Sequence, residues 1–189
     1  MRRSEPLLLG LICLLLLLAA AGGAAGEPAP AVLRVELAGS KVSVSLDYRD
    51  PRREEVLKAL GEGLTAEIQF QLRLYRRQLG FLHFLGDRMV IERRLSQTAR
   101  YDSFEGRYRI RLQNREIGAY GDPGQALEAF CSLSGFLLAD LAALEAGEYY
   151  VAARARLAPV KLVAPLNIIT LFLPRLAFSS PWLEGGLNP

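Results

Sequence analysis

Residues 64–77 read LTAEIQFQLRLYRR. Leu64, Ala66, Ile68, Phe70, Leu72 and Leu74 alternate without a slip against Thr65, Glu67, Gln69, Gln71 and Arg73. A helix would scatter those apolar positions around its circumference, whereas a strand gathers them on one face, because successive strand side chains point to opposite sides. The stretch therefore predicts a long strand with one dry and one wet face. Its dry face must be covered by another layer of structure.

Working outward, VLRVELAGSKVSVSLDY (32–48) alternates on both sides of Gly39 and predicts a hairpin. DPRREEVLKALGEG (50–63) carries helix signals: Asp50 as N-cap, Pro51 in the first turn, and Gly61 or Gly63 past the end. After an apolar loop, Leu79 to Gly86, MVIERRLSQTARY (89–101) predicts a strand whose wet face holds Glu92, Arg94, Ser96, Thr98 and Arg100. Arg93 and Gln97 interrupt its dry face. DSFEG (102–106) has the Asp and Gly of a tight connection and leads into RYRIRL, with Arg107, Arg109 and Arg111 on one side.

REIGAYGD (115–122) predicts a short strand. Asp122 and Pro123 then start a helix through QALEAFCSLSGFLL, where Leu127, Phe130, Ser134 and Leu137 recur at helical spacing and Cys131 sits beside the stripe. EAGE (145–148) reads as a turn, and YYVAARARL (149–157) alternates again, with Tyr149, Val151, Ala153, Ala155 and Leu157 inward. LVAPLNIITLFLP (162–174) is too short for a helical membrane span, and its portion Leu166–Leu173 suits a closing strand. Short connections and cleanly split faces predict an α+β fold, predominantly antiparallel β-sheet, sandwich-like or strongly curved, with two covering helices. The alternative is an all-β sandwich or partly open barrel.

The N-terminus runs from Arg2 and Arg3 through an uninterrupted apolar stretch, Leu7 to Ala21, to small residues before Glu27. That order is the pattern of an export signal, so residues 1–26 are a signal peptide or an N-terminal membrane anchor, with 7–26 held in the inner membrane if they are not cut away. Residues 27–31 form a linker, 32–183 a single exported β-rich domain, and 184–189 a tail. The expected location is periplasmic or otherwise extracytoplasmic. Without residues 1–26 the chain carries 21 basic and 19 acidic side chains, a net charge of +2. Cys131 is then the one remaining cysteine, so no disulfide forms within the chain, and a packed role is expected for it.

Chemistry is sparse. The single histidine, His83, lies in the apolar GFLHFLG, and no nucleophile, metal or phosphate-loop motif is present, so no catalytic residue, cofactor or metal site is assigned. Glu67, Glu92, Asp102, Glu105 and Glu116 lie in or near the long strands, which leaves a carboxylate-based cell-wall or glycan hydrolase as the alternative function. Charge is the stronger asymmetry. From Arg73 to Arg115 eleven arginines face four acids, a sum of +7. If the strands align them, Arg73, Arg94, Arg100, Arg107, Arg109 and Arg111 make a basic binding face. The expected partner is an envelope protein or an anionic membrane surface. A nucleic-acid partner is not expected, because the wet strand faces offer no aromatic stacking residues.

The succession RLYRR (73–77), RYDSFEGRYRIRL (100–112), a helix and YYVAARARL (149–157) resembles domain-of-unknown-function family 4390, uncharacterised bacterial proteins that are exported or membrane-anchored. The resemblance spans about Val32 to Trp182, and its most specific parts are the Tyr101–Tyr108 hairpin and the proline-interrupted apolar tail. It implies no activity and carries over no catalytic residue. The expectation that remains is a non-enzymatic protein- or envelope-binding module.

Overall fold

A computed structural model of the protein describes residues 31–49, 53–78, 80, 86–161 and 178–187. In chain order these form β1 (Ala31–Ala38), β2 (Lys41–Tyr48), α1 (Arg53–Gly61), β3 (Thr65–Arg76), β4 (Arg88–Asp102), β5 (Arg107–Leu112), β6 (Arg115–Tyr120) and α2 (Pro123–Cys131). Then follow β7 (Ser132–Asp140), a 3-10 turn at Leu141–Ala143, β8 (Tyr149–Lys161), β9 (Phe178–Ser179) and β10 (Leu183–Gly186). The strands reach one residue further than expected at the N-terminal end and three further at the C-terminal end.

β3 holds the centre of the larger sheet, ordered β10-β8-β3-β4-β5-β6, with β9 also paired to β8. The smaller sheet is ordered β1-β2-β7, and every pairing in both sheets is antiparallel. Ile68, Phe70, Leu72 and Leu74 of β3 are fully buried, as the alternation predicts. Their cover has two parts: β1, β2 and β7 lie over β10, β8 and β3, while α1 and α2 lie over β3 to β6. This is the α+β antiparallel arrangement with two helices that the sequence predicts. The layers meet tightly at β10, where a side chain on Gly185 would stand 2.7 Å from Val35.

Local chemistry sets the ends of the helices. α1 closes in a Schellman turn: Leu64 N–H donates to Ala59 O, Gly63 N–H to Leu60 O, and Gly63 takes a left-handed φ of +82°. α2 starts on Asp122, whose carboxylate accepts from Gln125 N–H, with Pro123 in the first turn. It ends at Cys131, well before the Leu138 that the helical spacing suggests. SLSGFLLAD is instead the strand β7, so Leu127 and Phe130 are core while Ser134 and Leu137 are exposed.

The reason for the early stop lies across the sheet. Gln97, fully buried on β4, donates from Nε2 to Ala129 O at 2.7 Å and Phe130 O at 2.9 Å, satisfying carbonyls that the helix end would otherwise leave bare. Ser132 then turns extended (φ −112°, ψ 141°), and the chain pairs with β2. The polar interruption of the dry face is thus the C-terminal support of α2. Cys131 is buried at that junction. Among the described residues, no helix is long and apolar enough to cross a membrane. The His83 loop, the Asp50–Pro51 helix start, residues 1–30 and the closing strand expected at Leu166–Leu173 lie outside the described residues.

Candidate functional site

The wet face of the larger sheet is where the chain concentrates its charged side chains. Register places the arginines in rows: Arg73 opposite Glu92, Arg94 opposite Gln71, Arg100 opposite Arg109, Arg111 opposite Thr98, and Arg107 opposite Asp102. Side chains directly opposite in an antiparallel pair share a face. All six arginines singled out from the sequence, Arg73, Arg94, Arg100, Arg107, Arg109 and Arg111, therefore stand on one surface. Arg76, Arg88, Arg93 and Arg115 fall on the opposite one by the same register.

Half of these six arginines are met by acids within the molecule. Glu92 binds Arg73 at 3.0 Å and Arg94 at 3.2 Å, and the Arg73 hydrogen bond holds its carboxyl below the usual range. Arg109 is a hub: it pairs with Asp102 at 3.1 Å, Glu116 at 3.0 Å and Glu105 at 2.5 Å, and Glu116 leads in raising its affinity for the proton. Asp102 also accepts from the Phe104 and Glu105 N–H groups, and the Glu105 N–H is the largest cause of its lowered pKa. Arg100, Arg107 and Arg111 differ. They are exposed and form no ion pair among the described residues. Register adds Arg154, Arg156 and Glu184 to this face, so eight arginines stand with Glu67, Glu92, Asp102, Glu105, Glu116 and Glu184, 8 − 6 = +2, and the face is less basic than the +7 of the linear segment.

The face is not free of aromatic rings, which corrects the expectation from sequence. Tyr75 and Tyr150, opposite each other in β3 and β8, stack with centroids 5.3 Å apart. Trp182, from the bend between β9 and β10, lies between the Arg73 guanidinium at 4.4 Å and that of Arg154 at 4.5 Å. Burial, aided by Asp87, pushes the Tyr150 hydroxyl up to about 12. Strand alternation could not reveal these rings together, since Tyr75 and Tyr150 meet only through register and Trp182 arrives from a distant segment. Each is already packed on an internal partner.

Two hollows flank this framework. One of about 670 Å³ lies between α2 and the smaller sheet and is lined in part by Arg34, Asp47, Tyr120 and Glu128. The other, about 450 Å³, opens at the end of the arginine face beside Thr65, Thr98, Arg100, Arg111 and the β4–β5 turn. Phe104 at that turn is fully exposed, a feature the sequence signalled only as an apolar residue inside an otherwise polar connection. Among the described residues no cluster of His, Cys, Asp and Glu could hold a metal ion.

With this geometry in view, the family model described as "Domain of unknown function (DUF4390)" matches residues 31–184. The chain belongs to the DUF4390 family. The match runs from the first residue of β1 to Glu184 in β10, so it takes in both helices and every strand but the last two residues of β10. No curated protein and no solved structure matches the chain.

Proposed function

We propose that this DUF4390 protein is an exported, non-enzymatic binding module of the bacterial envelope, and that it engages an anionic partner through the wet face of its larger sheet. One observation carries the reading: Arg100, Arg107 and Arg111 stand exposed without an acid partner among the described residues, while Asp102, Glu105 and Glu116 converge on Arg109. Guanidinium groups without internal counterions are what an anionic surface selects. Two of the five candidate carboxylates speak against hydrolysis. A glycosidase acid needs a raised pKa to carry its proton at neutral pH, and Glu92 and Asp102 are shifted the other way.

The test compares the protein with its Arg100→Glu, Arg107→Glu, Arg111→Glu triple variant in co-sedimentation with vesicles of phosphatidylcholine, with and without phosphatidylglycerol. Both proteins carry the same N-terminus, so any contribution of residues 1–26 cancels. The parent is expected to bind the anionic vesicles more strongly, to lose that difference in high salt, and to exceed the triple variant. Equal binding by parent and variant, both to the vesicles and to a polyglutamate column, would overturn the reading. Binding to polyglutamate alone would keep the face and make the partner an acidic protein.

A further inference from the structure

We propose that the β4–β5 turn is a lipid-contact tip, with Phe104 entering the interfacial layer of an anionic bilayer while Arg100, Arg107 and Arg111 hold lipid phosphates. The inference rests on the anionic-partner reading and makes it specific.

The turn is built to present a side chain. Asp102 Oδ1 accepts from Phe104 N–H at 3.1 Å and from Glu105 N–H at 3.3 Å, and Gly106 adopts the left-handed φ of +64° that closes the connection. Below it Tyr101 and Tyr108 pair across the strands, ring centroids 4.8 Å apart, and stiffen the base. On this ordered support the Phe104 ring is fully exposed, with nothing to pack on among the described residues. An ordered, unpacked phenyl ring at the end of a hairpin has one environment that improves it, an apolar phase beyond the molecule.

The charges around the ring are sorted accordingly. The tip region holds four arginines and three acids, but all three acids bind Arg109. The three other guanidiniums are left outward on both strands of the hairpin. The hollow of about 450 Å³ is also lined by Asp102 and Arg109, which neutralise each other, and beside that pair Thr65, Thr98, Arg100 and Arg111 set two hydroxyl donors and two guanidiniums that fit a phosphate oxyanion. An apolar ring flanked by arginines is the arrangement of side chains that settle at the membrane interface, rings toward the acyl chains and cations at the phosphates.

An acidic protein suits the tip less well. Protein interfaces anchor aromatic side chains in pockets over roughly 800 Å² per partner. The rings of the broad face, Tyr75, Tyr150 and Trp182, are already stacked on internal partners, and Phe104 stands apart at a narrow end.

The experiment uses the full chain carrying Phe104→Trp, with the parent's Trp182 emission subtracted, and the vesicles named above with brominated acyl chains. The added tryptophan is expected to shift to the blue and to be quenched by the brominated chains when phosphatidylglycerol is present. Both effects should vanish in the Arg100→Glu, Arg107→Glu, Arg111→Glu background. Phe104→Ser, with an unchanged melting curve, should lower vesicle binding several-fold. If the tryptophan stays open to aqueous iodide while the vesicles still bind through the arginines, the tip inference falls and the anionic-partner reading stands. If no charge-dependent vesicle binding occurs, the tip inference falls, and polyglutamate binding then decides whether the broader reading survives as an acidic protein partner.

Discussion

Arg109 and Arg111 sit two residues apart on the same face of β5, yet their surroundings give them opposite roles. Arg109 gathers Asp102, Glu105 and Glu116, whereas Arg111 has no acid partner among the described residues. Arg109→Ala should therefore loosen the turn and lower the urea midpoint, while Arg111→Ala should leave stability unchanged and weaken binding. The same contacts set an acid dependence. Because Asp102 and Glu92 are held below their ordinary values, each adds stability that is fully present above about pH 4 to 5, the unfolded range, and is lost as pH falls through the lower folded values. Asp102→Asn should lose that part of the acid sensitivity, seen as a flatter dependence of the urea midpoint from about pH 7 down to 3. Gln97 gives a sharper case. Replacing it with Leu keeps the volume but strips the carbonyls of Ala129 and Phe130 of their donor, and should cost about 2 kcal/mol in urea denaturation.

Among the elements, the ends of the helices depend on single residues. Gly63 holds the left-handed position closing α1, so Gly63→Ala should destabilise by about 1 kcal/mol, measured by thermal melting. Elements with strict alternation were legible in advance: β2, β3 and β8 bury the residues their patterns select. The boundary between α2 and β7 was not. Leu127, Phe130, Ser134 and Leu137 match a helical stripe, but the carbonyl acceptors of α2 find their donor on a strand about 30 residues earlier, and β2 offers β7 a free edge. Local spacing holds no record of either partner. The arginine face was half legible for the same reason: alternation puts the six side chains on one surface, but the pairing of Arg109 with Asp102, Glu105 and Glu116 is decided by register and by the shape of the turn.

At the scale of the whole molecule, the smaller sheet and the two helices close over β3, and at Gly185 the approach of Val35 leaves no room for a side chain. Gly185→Leu should push β10 from β1, expose the β8 edge and cost about 2 kcal/mol or more, with the loss visible as faster amide exchange in β8. The central strand also has a consequence for the order of events in the life of the chain. β3 pairs with β8 from Arg76 with Tyr149 to Thr65 with Lys161, separations of 73 and 96 residues. Such non-local pairing slows folding into the range of milliseconds to seconds. A ribosome adding about 5 to 20 residues per second leaves β3 without its inner neighbour for several seconds after it emerges. During that interval β3 can pair with β4 alone, and the side that later takes β8 stands as an unpaired strand edge, the kind of surface that recruits foreign strands.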